Sequence, residues 1–227
     1  MKIGLVGDYD PDVTAHRAIP AAIEIASSEI GVSVSLEWLE STSIGDVKFE
    51  EYSGFWGIPA SPYKETDNVL SAIKYVRMQN IPYLGTCAGY QHAALEYARN
   101  ALGYTEAENQ ETCPDATMPL ISALACRLSA TGVSVNFTHN SKVQEIYGVD
   151  SVVEIYNCGF GVNKNYLSIF DESEMSFVGF DDFGDPRALE IEDLKYFVGV
   201  AFQPERSAFL GKSHPLIKAF LKAAKSA

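Results

Sequence analysis

Along the first hundred residues the apolar positions switch between a period of two and a period of three to four, so the chain reads as strand, loop and helix in repetition. Residues 2 to 7 are an apolar run closed by Gly7-Asp8, after which Ala15, Ala18, Ile19, Ala22, Ile23 and Ala26 share one helical face. Pro20 falls inside that pattern and predicts a kink or restart, because proline removes a backbone donor and crowds the preceding turn. Val32, Val34, Leu36 and Trp38 alternate as in a half-buried strand, and residues 54 to 58 form a second short apolar run. The Pro59-Ala60-Ser61-Pro62 turn leads into a helix over 66 to 79, with Val69, Ile73 and Val76 at helical spacing. A strand over 81 to 84 is closed by Gly85-Thr86-Cys87-Ala88-Gly89, and Tyr90, Ala93, Ala94, Tyr97, Ala98 and Ala101 then lie on one helical stripe.

The second half has a different rhythm. Residues 152–156, 166–170, 176–180, 188–191 and 196–202 read as five short strands, and 215–224 as a closing helix. Strands alternating with helices predict an α/β fold: a flavodoxin-like, doubly wound, mostly parallel sheet covered on both faces, joined by additional short antiparallel strands. In such sheets ligands gather beyond the carboxyl ends of the strands. No linker-like stretch interrupts the 227 residues, so one domain over 1–227 is expected.

Composition narrows the function classes. Apolar residues make up 47% and charged residues 21%, in the range of ordinary globular domains. Thirty acidic against 17 basic side chains leave a formal charge of −13, a field that repels phosphate backbones and anionic lipid, so neither nucleic acid nor membrane is expected as a partner. No apolar run approaches a membrane span and the opening residues are too short for a signal peptide, from which a cytoplasmic address is expected. Cys87, Cys113, Cys126 and Cys158 show no paired spacing, which argues against a zinc site and against disulfides. No phosphate-binding loop or dinucleotide fingerprint is present and no cofactor is expected.

The chemistry concentrates at Cys87. Gly85-x-Cys87-x-Gly89 between a strand and a helix is the cysteine form of a nucleophile elbow, whose tight turn needs glycines. Backbone N–H groups at the helix start favour a thiolate and can hold the oxyanion of a tetrahedral intermediate, Ala88 N–H being the natural first donor. A buried structural cysteine in a glycine-rich turn is the alternative on these five residues alone.

Pro82 to Gln91, followed by Glu96-Tyr97-Ala98-Arg99-Asn100, closely resembles the nucleophile segment of the CTP synthase amidotransferase domain. The likeness extends to Gly4 to Tyr9, to Glu154 to Asn163, to Gln203-Pro204-Glu205 and to His214-Pro215-Leu216. It implies a class-I glutamine amidotransferase-like fold, in which the elbow cysteine attacks the side-chain amide of glutamine. A histidine moves the proton, a glutamate two residues later orients that histidine, and released ammonia passes to a synthetase domain. Carried over, Cys87 matches the nucleophile and Glu205 the glutamate, but Gln203 stands at the histidine position. Glutamine has no titratable group, so Glu205 itself, His139 or His92 must move the proton, and Glu205 acting directly is favoured. His92, His139, His16 and His214 read better as structural or surface residues.

The substrate site departs as well. Gly159 stands where the family carries an arginine that grips the glutamine carboxylate, with Phe160 after it. Glu111 matches the residue that receives the amino group, and Gln91 the glutamine after the elbow. Pro59-Ala60 replaces two glycines, leaving Ala60 N–H as a second oxyanion donor. Three readings follow from the resemblance: a cysteine-dependent hydrolase of a small amide other than glutamine; a non-catalytic member that binds a small molecule or partner; and a glutaminase feeding a separate synthetase subunit, since nothing in these residues resembles a synthetase domain. A homo-oligomer stays open.

Overall fold

The computed structural model describes residues 1–226, with the side chains of 125–131 outside the described residues. Its sequence of elements is β1 (Lys2–Val6), α1 (Thr14–Ile30), β2 (Ser35–Leu39), β3 (Gly54–Gly57), α2 (Thr66–Met78), β4 (Tyr83–Thr86) and α3 (Ala88–Asn100). Then come β5 (Ala107–Asn109), β6 (Met118–Phe137), α4 (Lys142–Tyr147), β7 (Ser151–Val162), β8 (Met175–Phe180), β9 (Pro186–Ile191), β10 (Phe197–Val200) and α5 (Pro215–Lys225). The described strands form one mixed sheet in the order β2-β1-β3-β4-β10-β9-β8-β6-β5, with β7 paired to β6. From β2 to β10 every pairing is parallel; from β10 to β7 the pairings turn antiparallel.

β3, β4 and β10 are buried along their whole length, which is why they appear in the sequence as short unbroken apolar runs. Their alternation distributes side chains to two helical layers. Trp56 meets Phe220 of α5 edge-on, whereas Gly57, next along β3, faces Gly89 of α3 on the opposite side. α1 packs with α5, and α2 with α3. α3 is buried on nearly every side, and its Glu96 carboxylate is held by two hydrogen bonds from Arg77 of α2, at 2.9 and 2.8 Å. α1 ends on Gly31 at φ 66°, whose N–H returns to the Ser27 and Ser28 carbonyls.

Four expectations need correction. α1 runs through Pro20 as a single helix and does not restart there; Pro20 sits on the solvent side, and tertiary packing of the buried face carries the helix past one missing donor. Residues 164–170 are a 3-10 helix where 166–170 reads as a strand, its start capped by the Asn163 side chain, which accepts from Asn165 N–H. The second strand begins at Ser35, three residues later than its alternation starts. The antiparallel strands are not all short: β6 spans 20 residues and β7 12, forming a long hairpin whose first arm the sequence pattern does not mark. The helix of that hairpin, α4, is fixed by Ser141, which accepts from Gln144 N–H, and by the buried Glu190 carboxylate, which accepts from Lys142 and Val143 N–H.

No helix among the described residues is long and apolar enough to cross a membrane. The chain segments leaving the carboxyl ends of β1, β3, β4 and β10 converge on one side of the sheet, and the far end of β7 reaches the same place.

Candidate functional site

Cys87 occupies the step from β4 to α3 with φ 49° and ψ −103°, a conformation that costs a non-glycine residue on the order of 1–3 kcal/mol. Two backbone bonds hold it there: Cys87 N–H donates to Val200 O at 2.9 Å, and Cys87 C=O accepts from Gln91 N–H at 3.2 Å. The turn also requires close passage of backbones, since a Cβ on Gly85 would come within 2.8 Å of Gly89 C and O. The elbow thus lifts one sulfur to the floor of a cavity of about 340 Å³.

The walls come from five chain segments: Asp12 to Thr14 after β1, Ala60 and Ser61 after β3, Cys87 and Gln91 after β4, Asn157 to Phe160 of β7, and Gln203 and Arg206 after β10, with Glu111 beside them. Ala60 keeps a positive φ of 74°, the left-handed conformation that a glycine would take there without strain. In that conformation its N–H and that of Ala88 both act on the Cys87 sulfur and favour its charged form. His16 sits behind this loop. Its Nε2 lies 2.9 Å from Pro59 O, to which it donates, and its Nδ1 lies 3.0 Å from Asp10 N and 3.1 Å from Asp10 O. Because Pro59 C=O belongs to the peptide that carries Ala60 N–H, the histidine aims the second donor at the sulfur. His16→Ala is expected to lower any Cys87 acylation rate by about tenfold or more without changing substrate affinity, in the range of a weakened oxyanion contact, as checked by separating kcat from KM.

Two features dominate the electrostatics. The Cys87 sulfur lies 2.7 Å from Cys158 Sγ, and this neighbour, together with burial, raises the Cys87 thiol well above its ordinary range while the Ala60 and Ala88 N–H groups oppose the rise. Glu205 is fully buried with neither carboxylate oxygen hydrogen-bonded among the described residues. Burial, offset in part by its own backbone N–H and reinforced by the Cys87 sulfur, pushes its carboxyl up to about 8, so it is neutral at pH 7. It does not line the cavity, and a direct role as proton acceptor is open to it only in the ionised form above that pH.

Gln203 does line the cavity, and its Oε1 accepts from Arg206 Nε. Gln91 Nε2 donates to Phe160 O at 2.9 Å, while Gln91 Oε1 and Glu111 Oε2 are buried without a partner among the described residues. Gly159 and Phe160 contribute the β7 wall. The remaining histidines stay outside. His92 is buried, bonded to Ala88 O at 2.7 Å and packed on Tyr63, and burial lowers its pKa to about 4. His139 is exposed, and His214 caps α5 while contacting Glu154 and Tyr147. Cys113 is half-buried away from the cavity, and the Cys126 side chain lies outside the described residues. Among the described residues no cluster of histidine, cysteine and carboxylates could hold a metal ion.

Sequence reasoning missed Arg206, Cys158 and Asn157. A signal for Cys158 existed: it is two residues before Phe160 on one strand, so the strand period puts both side chains on the same face. Arg206 directly follows the Gln203-Pro204-Glu205 turn and is the cavity's one arginine or lysine among the described residues. It brings a positive charge to the cavity from a segment other than the one that carries Gly159.

The sequence profile described as glutamine amidotransferase class-I matches residues 17–223. CTP synthase of Encephalitozoon cuniculi is 29% identical over 232 residues, covering 98% of this chain and 43% of that protein. CTP synthase of Saccharolobus solfataricus is 28% identical over 241 residues, covering 100% of this chain and 45% of that protein. The chain thus spans less than half the length of these curated relatives. Among solved structures, the glutaminase domain of Trypanosoma brucei CTPS with bound acivicin superimposes with a TM-score of 0.88 at 21% identity, covering 100% of this chain and 94% of that one. A glutamine amidotransferase from Thermotoga maritima gives a TM-score of 0.60 at 14% identity, covering 100% and 96%.

Proposed function

The chain belongs to the class-I glutamine amidotransferase family, and from that premise we propose that it is a cysteine-dependent amidase acting on a small, amine-bearing amide other than free glutamine. The observation that carries this reading is the cavity over Cys87, where two backbone N–H groups face the sulfur and unpartnered acceptors wait on one wall with a guanidinium on another.

In this mechanism the Cys87 sulfur attacks the amide carbon and the oxyanion forms between Ala60 and Ala88 N–H. Glu111 and Gln91 Oε1 receive the substrate's ammonium group, as their orphaned oxygens suggest. Arg206 holds an anionic group. Its place beside Gln203, on a different segment from Gly159, moves the anionic anchor, and that displacement is what disfavours free glutamine. Above about pH 8, where it is ionised, Glu205 carries the proton that Gln203 cannot, at a cost of about 100- to 10,000-fold against a histidine-bearing site.

The test is a panel of small amides, following ammonia release and the mass of acylated Cys87. Turnover of an acid-bearing amide is expected, abolished in Cys87→Ala, with KM raised about ten- to a hundredfold in Arg206→Ala, the scale of one lost charge-assisted hydrogen bond. An unreactive thiol across the panel ends the reading. Joint loss of the family's histidine and arginine favours a second reading, a ligand-binding sensor, in which Cys87→Ala leaves affinity unchanged. Supply of ammonia to a separate synthetase is distinguished by Gln203→His. Under our reading that change alone leaves glutamine hydrolysis undetectable, and only Gln203→His with Gly159→Arg restores it; a large gain from the single change would favour the glutaminase.

A further inference from the structure

Cys158 has no role in amide chemistry, yet its sulfur stands 2.7 Å from the nucleophile, well inside an ordinary nonbonded sulfur separation. The two thiols are chemically unlike. Backbone N–H groups of Ala60 and Ala88 act on Cys87 and oppose the rise in its pKa that Cys158 and burial cause. Cys158 Sγ also faces an acceptor, donating to Ala201 O at 3.4 Å. Both sulfurs line the same cavity, which opens to solvent, and both are otherwise buried at 7% and 5% exposure.

We propose that Cys87 and Cys158 form a redox pair at which a small hydroperoxide is reduced, closing an intrachain disulfide across the cavity floor. The Cys87 thiolate attacks the terminal oxygen of the hydroperoxide and the O–O bond breaks. The departing alkoxide or hydroxide takes a proton, leaving alcohol or water and a Cys87 sulfenic acid. The Cys158 sulfur then attacks the Cys87 sulfur, and its own proton leaves with the hydroxyl as water. Two thiols and one hydroperoxide give one disulfide, one alcohol or water, and one water. An external dithiol returns the pair to its reduced state. In the disulfide form the nucleophile is blocked, so amide cleavage and peroxide reduction exclude each other at one sulfur.

The experiment uses the full chain, reduced and freed of reductant, with one equivalent of hydrogen peroxide. Two thiols per chain are expected to disappear, a linked Cys87–Cys158 peptide pair to appear by mass spectrometry, and dithiothreitol to reverse both. In Cys158→Ser, oxidation is expected to stop at a Cys87 sulfenic acid that dimedone traps, whereas in the unmodified chain dimedone captures little because the second thiol is faster. Oxidation of Cys87 to the sulfinic acid with Cys158 still free, bridging through Cys113, or no loss of thiols would each overturn the pair. None of these readouts needs an amide substrate, so their failure leaves the hydrolase reading standing and the converse also holds.

Discussion

Gly89→Ala is expected to destabilise the folded chain by about 3 kcal/mol or more, the upper end of what overpacking costs. A Cβ at this position would overlap the Gly57 carbonyl oxygen and stand 2.5 Å from its carbon and 2.8 Å from its Cα. These are backbone atoms of β3, which is buried throughout and paired on both edges, so no rotamer change can relieve the overlap. Either α3 lifts from the sheet, carrying the elbow with it, or the strand shifts. For a chain of this size the cost corresponds to a fall in melting temperature of roughly 6–12 °C. The same displacement withdraws Ala88 N–H from the Cys87 sulfur, so any surviving folded fraction should show a less reactive thiol. A variant melting within about 2 °C of the parent, a change equivalent to less than ~1 kcal/mol, would mean that α3 does not need this close approach.

Glu205→Gln is expected to stabilise the protein near neutral pH, by up to about 3 kcal/mol at pH 7. The sign follows from where the proton sits. Burial raises this carboxyl from 4.5 to about 8, so between those values the folded chain retains a proton that the unfolded chain has released. Stability therefore falls as pH rises from about 4.5 towards 8, and is level with respect to this group above and below that window. Glutamine keeps the shape and removes the ionisation, so the difference in stability between parent and variant should grow across the window. Chemical denaturation at pH 5, 6, 7 and 8 measures it. Glu190, also raised by burial, is common to both proteins and cancels in the difference. The same substitution separates the two uses of Glu205: if it carries the proton for amide cleavage, the variant is more stable and less active, with the limb of the pH–rate profile near 8 gone. A parallel pair of denaturation midpoints at every pH would show that the carboxyl is not held neutral.

Much of the site was legible because it rests on local pattern. A strand, two glycines around a cysteine and a helical stripe occupy some twenty consecutive residues, and backbone stereochemistry allows few other arrangements. Ala60, Cys87, Gln91, Glu111, Gly159, Phe160 and Gln203, all singled out from pattern or family resemblance, line one cavity. Glu205 was found as a residue but not as an environment, since its neutrality depends on what buries it and no neighbour in sequence reports that. His16 looked structural and is, but its place behind the Pro59 carbonyl depends on α1 passing that loop 43 residues away.

What the amino-acid order determined by itself was the parallel half of the sheet, its helices, and a strained cysteine at the end of β4, because each follows from periodicities and glycine requirements a few residues long. The tertiary structure alone decided which side chains share the space above that cysteine. Arg206, Cys158 and Asp12 come from segments widely separated along the chain, and their meeting is set by the order of strands in the sheet and the reach of the long β6–β7 hairpin. Charge and proton affinity in the site depend on distance and burial between such segments. Those quantities exist only once the chain has closed around them.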